Sequence, residues 1–594
     1  MNIQTIVPEE CVRTKKIRVD DNLENAFRKS FSSKRAEKLP EESYYKLYIG
    51  EQHIESIYNN NNSIIWGRRG TGKTHLLKAF CQKINEATNT KEIAFYVSCD
   101  DITLETPVQL FFKNDEERIK YHTREAFKTF FTNLFDEIID NYEKILTKKT
   151  IFIKSKAEKQ KMKQNIENEL TNLLELCKYG YSTTVALSEK SEEQLLTENN
   201  TSSGVDLKFA PQKTLLESLG IEIKRKKDKN VKREIKISRE NQIINRYDFR
   251  QIKKSFDRLT EYMEVDRMYI CIDELWMIDD KKKYTIQPYF LELLRKSIFS
   301  QKKIAIKIAS IRETTKLNTK ISFGQNIGLQ SKQDIFEDLN LDVIYLGQKY
   351  IEEMFIKILT KRINYYSSIQ YTEEYILSTV FKEKRYFNLL VVMSHGIPRN
   401  FLRIVEECMS AIQYNLSEYF LHIYLIVNVV MNIYANDKRS SLSFEENSVY
   451  GMISQYLQQS KNAFFLIENE PYQRIYTEVN NLIYTEIVHR LPSSLTPEGI
   501  RDKYKAFFVD SGKYLSTIND FYQNELNDIV SNYRLIIPSD LQSDFQKYIL
   551  NLDNVSSNFI ECPNCGNRVN KEHPIYRETQ RCYNCAYQFS DSTF

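Results

Sequence analysis

SIIWGRRGTGKTHLLKAF, residues 63–80, sets the fold. A short apolar run, Ser63 to Trp66, gives way to Gly67, Gly70 and Gly72 and then to a helical pattern, although the whole 594-residue chain holds only 15 glycines. Gly67-Arg68-Arg69-Gly70-Thr71-Gly72-Lys73-Thr74 fits G-x4-G-K-[ST] with a strand before it and a helix after it, the context that the motif requires. Bare backbone at the glycines lets successive N–H groups turn inward around a polyphosphate, and the helix N-terminus adds about half a positive charge. Lys73 is placed to reach β- and γ-phosphates, Thr74 to give its hydroxyl to Mg²⁺, and His75 follows at the loop's exit.

Outward from this stretch, KEIAFYVSCD (91–100), MYICIDELW (268–276), KIAIKIASI (303–311) and LDVIYLG (341–347) read as four further buried strands. Apolar runs separated by helical patterns predict an α/β fold, a parallel sheet covered by helices. The interval 105–262 is far longer than one crossover helix and reads as an insertion. Within it, Phe127, Phe131, Leu134, Ile138 and Tyr142 recur at helical spacing, which predicts a packed helix face.

A phosphate loop becomes a hydrolytic site only with carboxylates opposite it. Asp273 ends its apolar run, where it would hold Mg²⁺ through water, and Glu274 beside it would orient and deprotonate an attacking water. Ser310 and Arg312 stand at the tip of the next run, near a γ-phosphate if the two strands are neighbours. In SHGIPRNFLRIVEEC (394–408), Gly-x-Pro-Arg opens a helix; Arg399 either reaches the nucleotide from a lid or caps that helix.

Composition narrows the class. With 41% hydrophobic and 28% charged residues the chain is globular, and its length calls for several cores. A net charge of +4 is no global footprint for nucleic acid or an anionic membrane. The most apolar segment, 419–434, carries His422, Asn428 and Asn432 and is too short to span a bilayer, so a buried helix and no membrane partner are expected. Nothing reads as a targeting sequence, and the expected location is cytoplasmic. Locally, 221–240 holds nine Lys/Arg against four Asp/Glu, the best candidate for touching DNA or an acidic partner, with a solvated hairpin as the alternative; 188–206 has the composition of a linker.

The order GRRGTGKT, ICIDE, IASIR, GIPR resembles the AAA+ ATPases, and among them the initiator clade of the origin recognition complex. DVIYLGQKYIEEMFIKILTKRINYY is similar to that clade's strand leading into a lid helix, and IYNNNNSIIWGRRGTGKTHLL to prokaryotic ORC-type ATPases, some of which sit among mobile elements and phage-defence genes. The resemblance spans roughly 45–105 and 260–437. It implies ATP and Mg²⁺ as ligands, a homo-oligomer, Glu274 and Lys73 as catalytic residues, Arg312 as first sensor and Arg399 as second. Arg312 stands where Asn is commoner in that clade, which resembles STAND-type signalling ATPases. Arg295 and Arg362 are the two candidates for an arginine acting across a subunit boundary. The implied activity is ATP hydrolysis that switches conformation or assembly, and through it contact with DNA or a companion effector, including in anti-phage defence. The alternative is a DNA-binding initiator or sensor scaffold that holds ATP and hydrolyses little.

The same clade carries a winged helix after its lid. Helices near 447–460 and 471–490, then LTPEGIRDKYKAFFVDSGKYL as helix plus wing, fit that expectation. Residues 441–520 hold seven Lys/Arg and ten Asp/Glu, which disfavours strong duplex binding unless Arg501, Lys503 and Lys505 form a patch, and protein docking is the alternative. At the C-terminus, Cys562, Cys565, Cys582 and Cys585 are spaced C-x2-C-x16-C-x2-C, which predicts a structural Zn²⁺ site with all four positions filled. His573, between the pairs, is expected at the surface, and the remaining six cysteines as reduced core thiols. The expected organisation is an N-terminal segment (1–45), a nucleotide-binding core (46–347), a helical lid (348–438), a winged-helix-like domain (439–550) and a zinc ribbon (551–594).

Overall fold

The computed structural model describes residues 21–31, 38–102, 115–149, 155–178, 181–186, 196–197, 241–278, 286–320, 326–343, 348–381, 383–414, 419–460, 462–469, 472, 475–491, 499, 503–517, 541, 543–552, 559–562, 568–583 and 585–589. These pack as two units, Gly50–Trp66 with Lys73–Leu339, and Met1–Ile49 with Gly67–Gly72 and Asn340–Phe594.

The first unit is a sheet with covering helices. Its strands are β1 (Ser63–Trp66), β2 (Glu92–Ser98), β3 (Arg267–Asp273), β4 (Ile304–Ser310) and β5 (Glu337–Asn340), in the order β5-β1-β4-β3-β2. β1 with β4, β4 with β3 and β3 with β2 run parallel. Central strands of this kind are buried on both faces, and every residue of β4 is buried. Register places Trp66 level with Ser310, and Ser98 level with Asp273, so the carboxyl ends of the strands gather their polar residues at one edge. In doubly covered sheets ligands bind at that edge. Lys307 is the one cation of β4; its Nζ donates to the carbonyl of Asn61 at 2.6 Å and to Ser63 Oγ at 3.1 Å, fixing the approach to β1, and burial lowers its pKa to about 8.

Four of the expected strands form as read, and the fifth does not. β5 is EDLN, one step before LDVIYLG; Leu341–Val343 are not a strand, and 344–347 lie outside the described residues. β5 is only partly buried, its residues alternating between half-buried and exposed, so it carries no continuous apolar run, whereas β2 at the opposite edge is largely buried and does. Val343 instead joins the helical core of the second unit.

α1 (Lys73–Glu86), α2 (Asp115–Lys148), α3 (Lys156–Lys178), α4 (Phe249–Tyr262) and α5 (Gln287–Leu294) belong to the sheet unit. Phe127, Phe131, Leu134, Ile138 and Tyr142 of α2 are all buried in one core with Phe95, Phe256 and Phe290, so the predicted packed face is real and the insertion's long helices share the sheet's core. Strands Tyr181–Ala186, Leu196–Thr197 and Asn241–Arg246 form a small antiparallel sheet. The basic segment 221–240 and most of 188–206 lie outside the described residues.

The second unit opens with helix Asp21–Ser30, whose Leu23, Ala26 and Phe27 pack with Ile351, Phe355, Leu359 and Ile363 of α6 (Gln348–Tyr366). Helix Asp21–Ser30 of the N-terminal segment is therefore part of the lid core. α7 (Glu373–Val380), α8 (Lys384–Met393), α9 (Pro398–Ala411) and α10 (Ile423–Ile433) complete the lid. α10 is the apolar 419–434 segment, with Ile426, Val427, Val429 and Val430 buried; among the described residues no helix is long and apolar enough to cross a membrane.

After the lid come α11 (Phe444–Ser460), β6 (Phe464–Glu468), α12 (Tyr476–Tyr484), β7 (Val488–Arg490) and β8 (Tyr504–Val509), the strands antiparallel in the order β6-β8-β7. The expected single helix over 471–490 stops at Tyr484, because Glu486 turns the chain with a φ of +59° and Val488–Arg490 pairs with β8. DKYKAFFVDSGKYL is likewise a central strand followed by helix Ser511–Thr517, since Ala506, Phe507 and Phe508 are buried on both faces of the sheet. A hairpin of β9 (Phe559–Glu561) and β10 (Arg568–Asn570) and a helix, Pro574–Thr579, end the described chain.

Phe131→Ala is expected to lower stability by about 3–5 kcal/mol, and Phe336→Ala, 59% exposed, by no more than about 0.5 kcal/mol. Urea unfolding followed by circular dichroism checks both.

Candidate nucleotide-binding site

In the sheet unit, Lys73 and Thr74 begin α1, and Asp273 ends β3. The Asp273 carboxylate is fully buried and collects donors. The Thr74 and Tyr96 hydroxyls bond to it, Tyr96 to Oδ2 at 2.9 Å, and the Glu274 N–H donates to Oδ1 at 2.9 Å. Burial raises the Asp273 pKa, and the Thr74 hydroxyl, the Lys73 ammonium and the Tyr96 hydroxyl only partly offset it. A buried carboxylate left this basic is one that a further cation beside it would stabilise. Lys73, Thr74 and Asp273, chosen from sequence separately, are thus brought together.

Glu274 follows in the left-handed region, φ +54°, an unfavourable conformation for a residue with a Cβ, held because β3 ends there and a 3₁₀ turn, Leu275–Met277, begins. Its Oε2 accepts the indole N–H of Trp276. Arg312 extends from the tip of β4: its guanidinium lies 5.0 Å from the Trp66 ring centroid and pairs with Asp338 at 3.0 Å, both side chains about half exposed. It is therefore an ion-paired residue beside the end of β1.

The loop Gly67–Gly72 packs within the second unit. Gly70, φ +85°, has no room for a Cβ, which would meet Arg399 Cβ and Ile397 Cγ2 at 2.8 Å, and its carbonyl accepts the Arg399 N–H at 3.2 Å. Gly-x-Pro-Arg thus abuts the phosphate loop through its backbone and puts Arg399 beside it. Arg68 turns away from the loop into the protein. Its Nε and Nη2 hold the Asp342 carboxylate at 2.5 and 2.8 Å, Nη2 also donates to the His395 carbonyl at 2.8 Å, and Nη1 faces His489 Nδ1 at 3.4 Å. Arg69 lies over the Tyr484 ring, 4.5 Å from its centroid. Thr71 Oγ1 donates to the Arg68 carbonyl at 2.9 Å, closing the turn. His75 is half-buried on α1.

Beyond Arg68 lies a buried polar cluster that the sequence did not announce. His395, His489 and Asp510 are all within a few per cent of full burial, and the Lys438 ammonium donates to Asp510 Oδ2 at 2.6 Å. For Asp510, burial alone would raise the pKa; Lys438 and the two imidazoles outweigh it and hold the carboxyl well below the usual range. Burial first, and then the Arg68 and Lys438 charges, push His489 down to about 4, and burial with the neighbouring imidazole carries His395 far below 6.5.

Of the candidates for an arginine acting across a boundary, Arg362 is excluded: it is buried and donates to the Ser30 carbonyl at 2.8 Å. Arg295 is committed to Glu292 at 2.7 Å. At the C-terminus, Cys562, Cys582 and Cys585 have their sulfurs within 4.8 Å of one another, and Cys565 lies outside the described residues. His573 caps helix Pro574–Thr579 by accepting the Ile575 N–H and stacks on Tyr583, which gives it a structural place apart from the thiols. Cys81, Cys99, Cys177, Cys271 and Cys408 are buried and unbridged, as expected. Of the basic trio near the winged helix, Arg501 lies outside the described residues and Lys503 pairs with Glu468 at 3.6 Å.

A sequence model of the ORC-CDC6-like family matches residues 29–390, and the chain belongs to that family of AAA+ P-loop ATPases. No curated protein matches it in sequence. Among solved structures it is similar to a Walker-type ATPase of Pyrococcus abyssi, at 13% identity over 82% of this chain and 99% of that one with a TM-score of 0.35. It is also similar to Cdc6p of Pyrobaculum aerophilum, at 11% identity over 87% and 100% with a TM-score of 0.30. A third, Orc1 of Aeropyrum pernix in complex with DNA, shares 9% identity over 83% and 96% with a TM-score of 0.34.

The depressed imidazoles give a pH prediction. Between an ordinary pKa of 6.5 and about 4, an unfolded His489 binds a proton that the folded one does not, so stability falls as pH drops through that window. The melting temperature should decline from pH 6.5 to 4, and His489→Asn should make that decline shallower.

Proposed function

We propose that the chain is a Mg²⁺-dependent ATPase whose phosphate loop is Gly67–Thr74 and whose hydrolytic carboxylates are Asp273 and Glu274. The observation that supports this most is the convergence of Lys73 and the Thr74 hydroxyl on the buried Asp273. The residues fit a metal: Thr74 offers a neutral oxygen, and Asp273 a carboxylate whose burial favours added positive charge. When bound, Mg²⁺ neutralises charge on the β- and γ-phosphate oxygens. Lys73 binds the same oxygens. Glu274 takes a proton from water as its oxygen bonds to the γ-phosphorus; the bond to the β–γ bridging oxygen breaks, and ADP and phosphate leave. For that role the Glu274 carboxylate must share its Trp276 bond with the water.

Lys73→Ala should abolish nucleotide binding in calorimetry. Glu274→Gln should keep binding and lower steady-state phosphate release by about 10²-fold or more. Unchanged release in Glu274→Gln would instead favour the scaffold that holds ATP without turning it over.

The output of the cycle, in this proposal, is a change of conformation or of homo-oligomeric assembly that controls contact with DNA or a companion protein, with anti-phage defence as one setting. The local surplus of charge at 221–240 supports a phosphate-backbone contact there, and the acidic balance of 441–520 favours protein docking by the winged helix. Neutralising the 221–240 lysines and arginines should flatten the salt dependence of duplex binding if DNA is the partner.

We further infer a zinc site at the C-terminus. Thiolates about 2.3 Å from a tetrahedral ion stand about 3.8 Å apart, and the Cys562 and Cys585 sulfurs are 3.6 Å apart. Cys565 completes the set from its spacing. The ion would order the module that contains them, whose buried cluster among the described residues is Cys562, Val569, Tyr576, Cys582 and Phe589. Elemental analysis should find one zinc per chain, lost in Cys582→Ser.

A further inference from the structure

Three successive residues of the phosphate loop are each held by a residue far along the chain. Arg68 Nη1 faces His489 of β7, Arg69 lies over Tyr484 of α12, and the Gly70 carbonyl takes the Arg399 N–H. Two of those three partners belong to the winged-helix module. Arg68 cannot shed its charge, and it is 7% exposed, so every N–H it buries needs an acceptor. Asp342 and the His395 carbonyl take two sides of the guanidinium, and Nη1 is left to His489.

The cluster behind His489 fixes which way that imidazole can work. A guanidinium only donates, so His489 Nδ1 must accept, and its proton lies on Nε2. The Ser511 N–H donates to His395 Nε2 at 3.1 Å, so the His395 proton lies on Nδ1. Both inward N–H groups then point at Asp510 Oδ2, at 3.7 and 3.8 Å, and among the described residues neither has a partner at hydrogen-bonding distance. Two imidazoles and a carboxylate converging in this way resemble a metal site in outline, but metal-bound histidines turn a lone pair inward and donate outward. Here both accept outward, and Lys438 already occupies Asp510 Oδ2. One buried water accepting from both imidazoles and donating to Asp510 would satisfy all three. The cluster is built to present a neutral acceptor to Arg68, with a fixed tautomer and a fixed ring, the His489 ring being stacked on Phe508 at 4.7 Å and tilted against His395 at 4.2 Å.

We propose that His489 and Asp510 of the winged-helix module are positioning residues for the phosphate loop: they seat Arg68, and through it the loop, so that seating of this module and capture of a nucleoside triphosphate are linked. The proposal rests on the nucleotide reading of the loop above. Linkage makes the effect reciprocal. Unseating the module weakens nucleotide binding, and nucleotide tightens the module.

The test is calorimetry of Mg-ATPγS with the full chain and its variants Arg68→Ala, His489→Ala, their double, and His489→Asn, joined to hydrogen exchange over 486–511. Each alanine variant should weaken binding at least about 5-fold, the low end of ordinary coupling, and the double should be no weaker than the worse single. His489→Asn, which keeps an acceptor near the position of Nδ1, should recover most of the affinity; should His489→Ala fail to fold, Asp510→Asn replaces it. In the wild type, nucleotide should slow exchange at Ile487, Asp510 and Ser511, and in Arg68→Ala it should not. Lys73→Ala separates the two claims. If it binds nucleotide normally, the loop reading fails. If it does not bind while His489→Ala and Asp510→Asn bind as wild type, or while the Arg68 and His489 effects multiply, the seating proposal is overturned.

Discussion

A carboxylate with no access to solvent, Asp273 at the tip of β3, is the constraint on which the site depends. Left alone it would be costly to ionise; the Thr74 and Tyr96 hydroxyls, the Glu274 amide and the Lys73 ammonium make it tolerable and still leave it short of positive charge. Those four groups come from three separate elements: Lys73 and Thr74 from the start of α1, Tyr96 from β2 and Glu274 from the turn after β3. The sheet's strand order and register exist in a form that lets those elements meet at one edge, and the aromatic core of α2, α4 and α5 holds the sheet in that form.

A second buried charge organises the loop. Arg68 carries an ion where the neighbouring chain offers little water, and its partners come from the strand exit at Asp342, from the turn at His395 before α9, and from β7. His395 itself has a φ of +56°, a conformation that its surroundings must impose, and the turn it makes delivers Ile397 and Arg399 onto Gly70. Lid, loop and winged helix thereby share one set of polar contacts in place of the mostly apolar contacts that join domains elsewhere in the unit.

What was legible in the sequence was what local chemistry repeats. Gly67 to Thr74, Asp273 and Glu274 are short motifs flanked by apolar runs, and β1 to β4 announced themselves because their burial leaves runs of Ile, Val, Ala and Phe. β5 was missed because its four residues, Glu337 to Asn340, are half-buried or exposed and carry no such mark. The helix expected over 471–490 was misread because a turn at Glu486, which has no glycine to flag it, splits apolar residues that are helical on one side and extended on the other. Tyr96 and the cluster of His395, His489 and Asp510 were silent for another reason. Each is a lone residue whose meaning comes from a partner far along the chain, 177 positions away for Tyr96 and Asp273 and 421 for Arg68 and His489.

The most direct test is a structure of Glu274→Gln with Mg-ATPγS. The account predicts a triphosphate wrapped by the amides of Gly70 to Thr74, with a metal about 2.1 Å from Thr74 Oγ1 and linked through water to Asp273. A nucleotide bound elsewhere, or a metal that leaves Thr74 and Asp273 bonded only to each other, would contradict it.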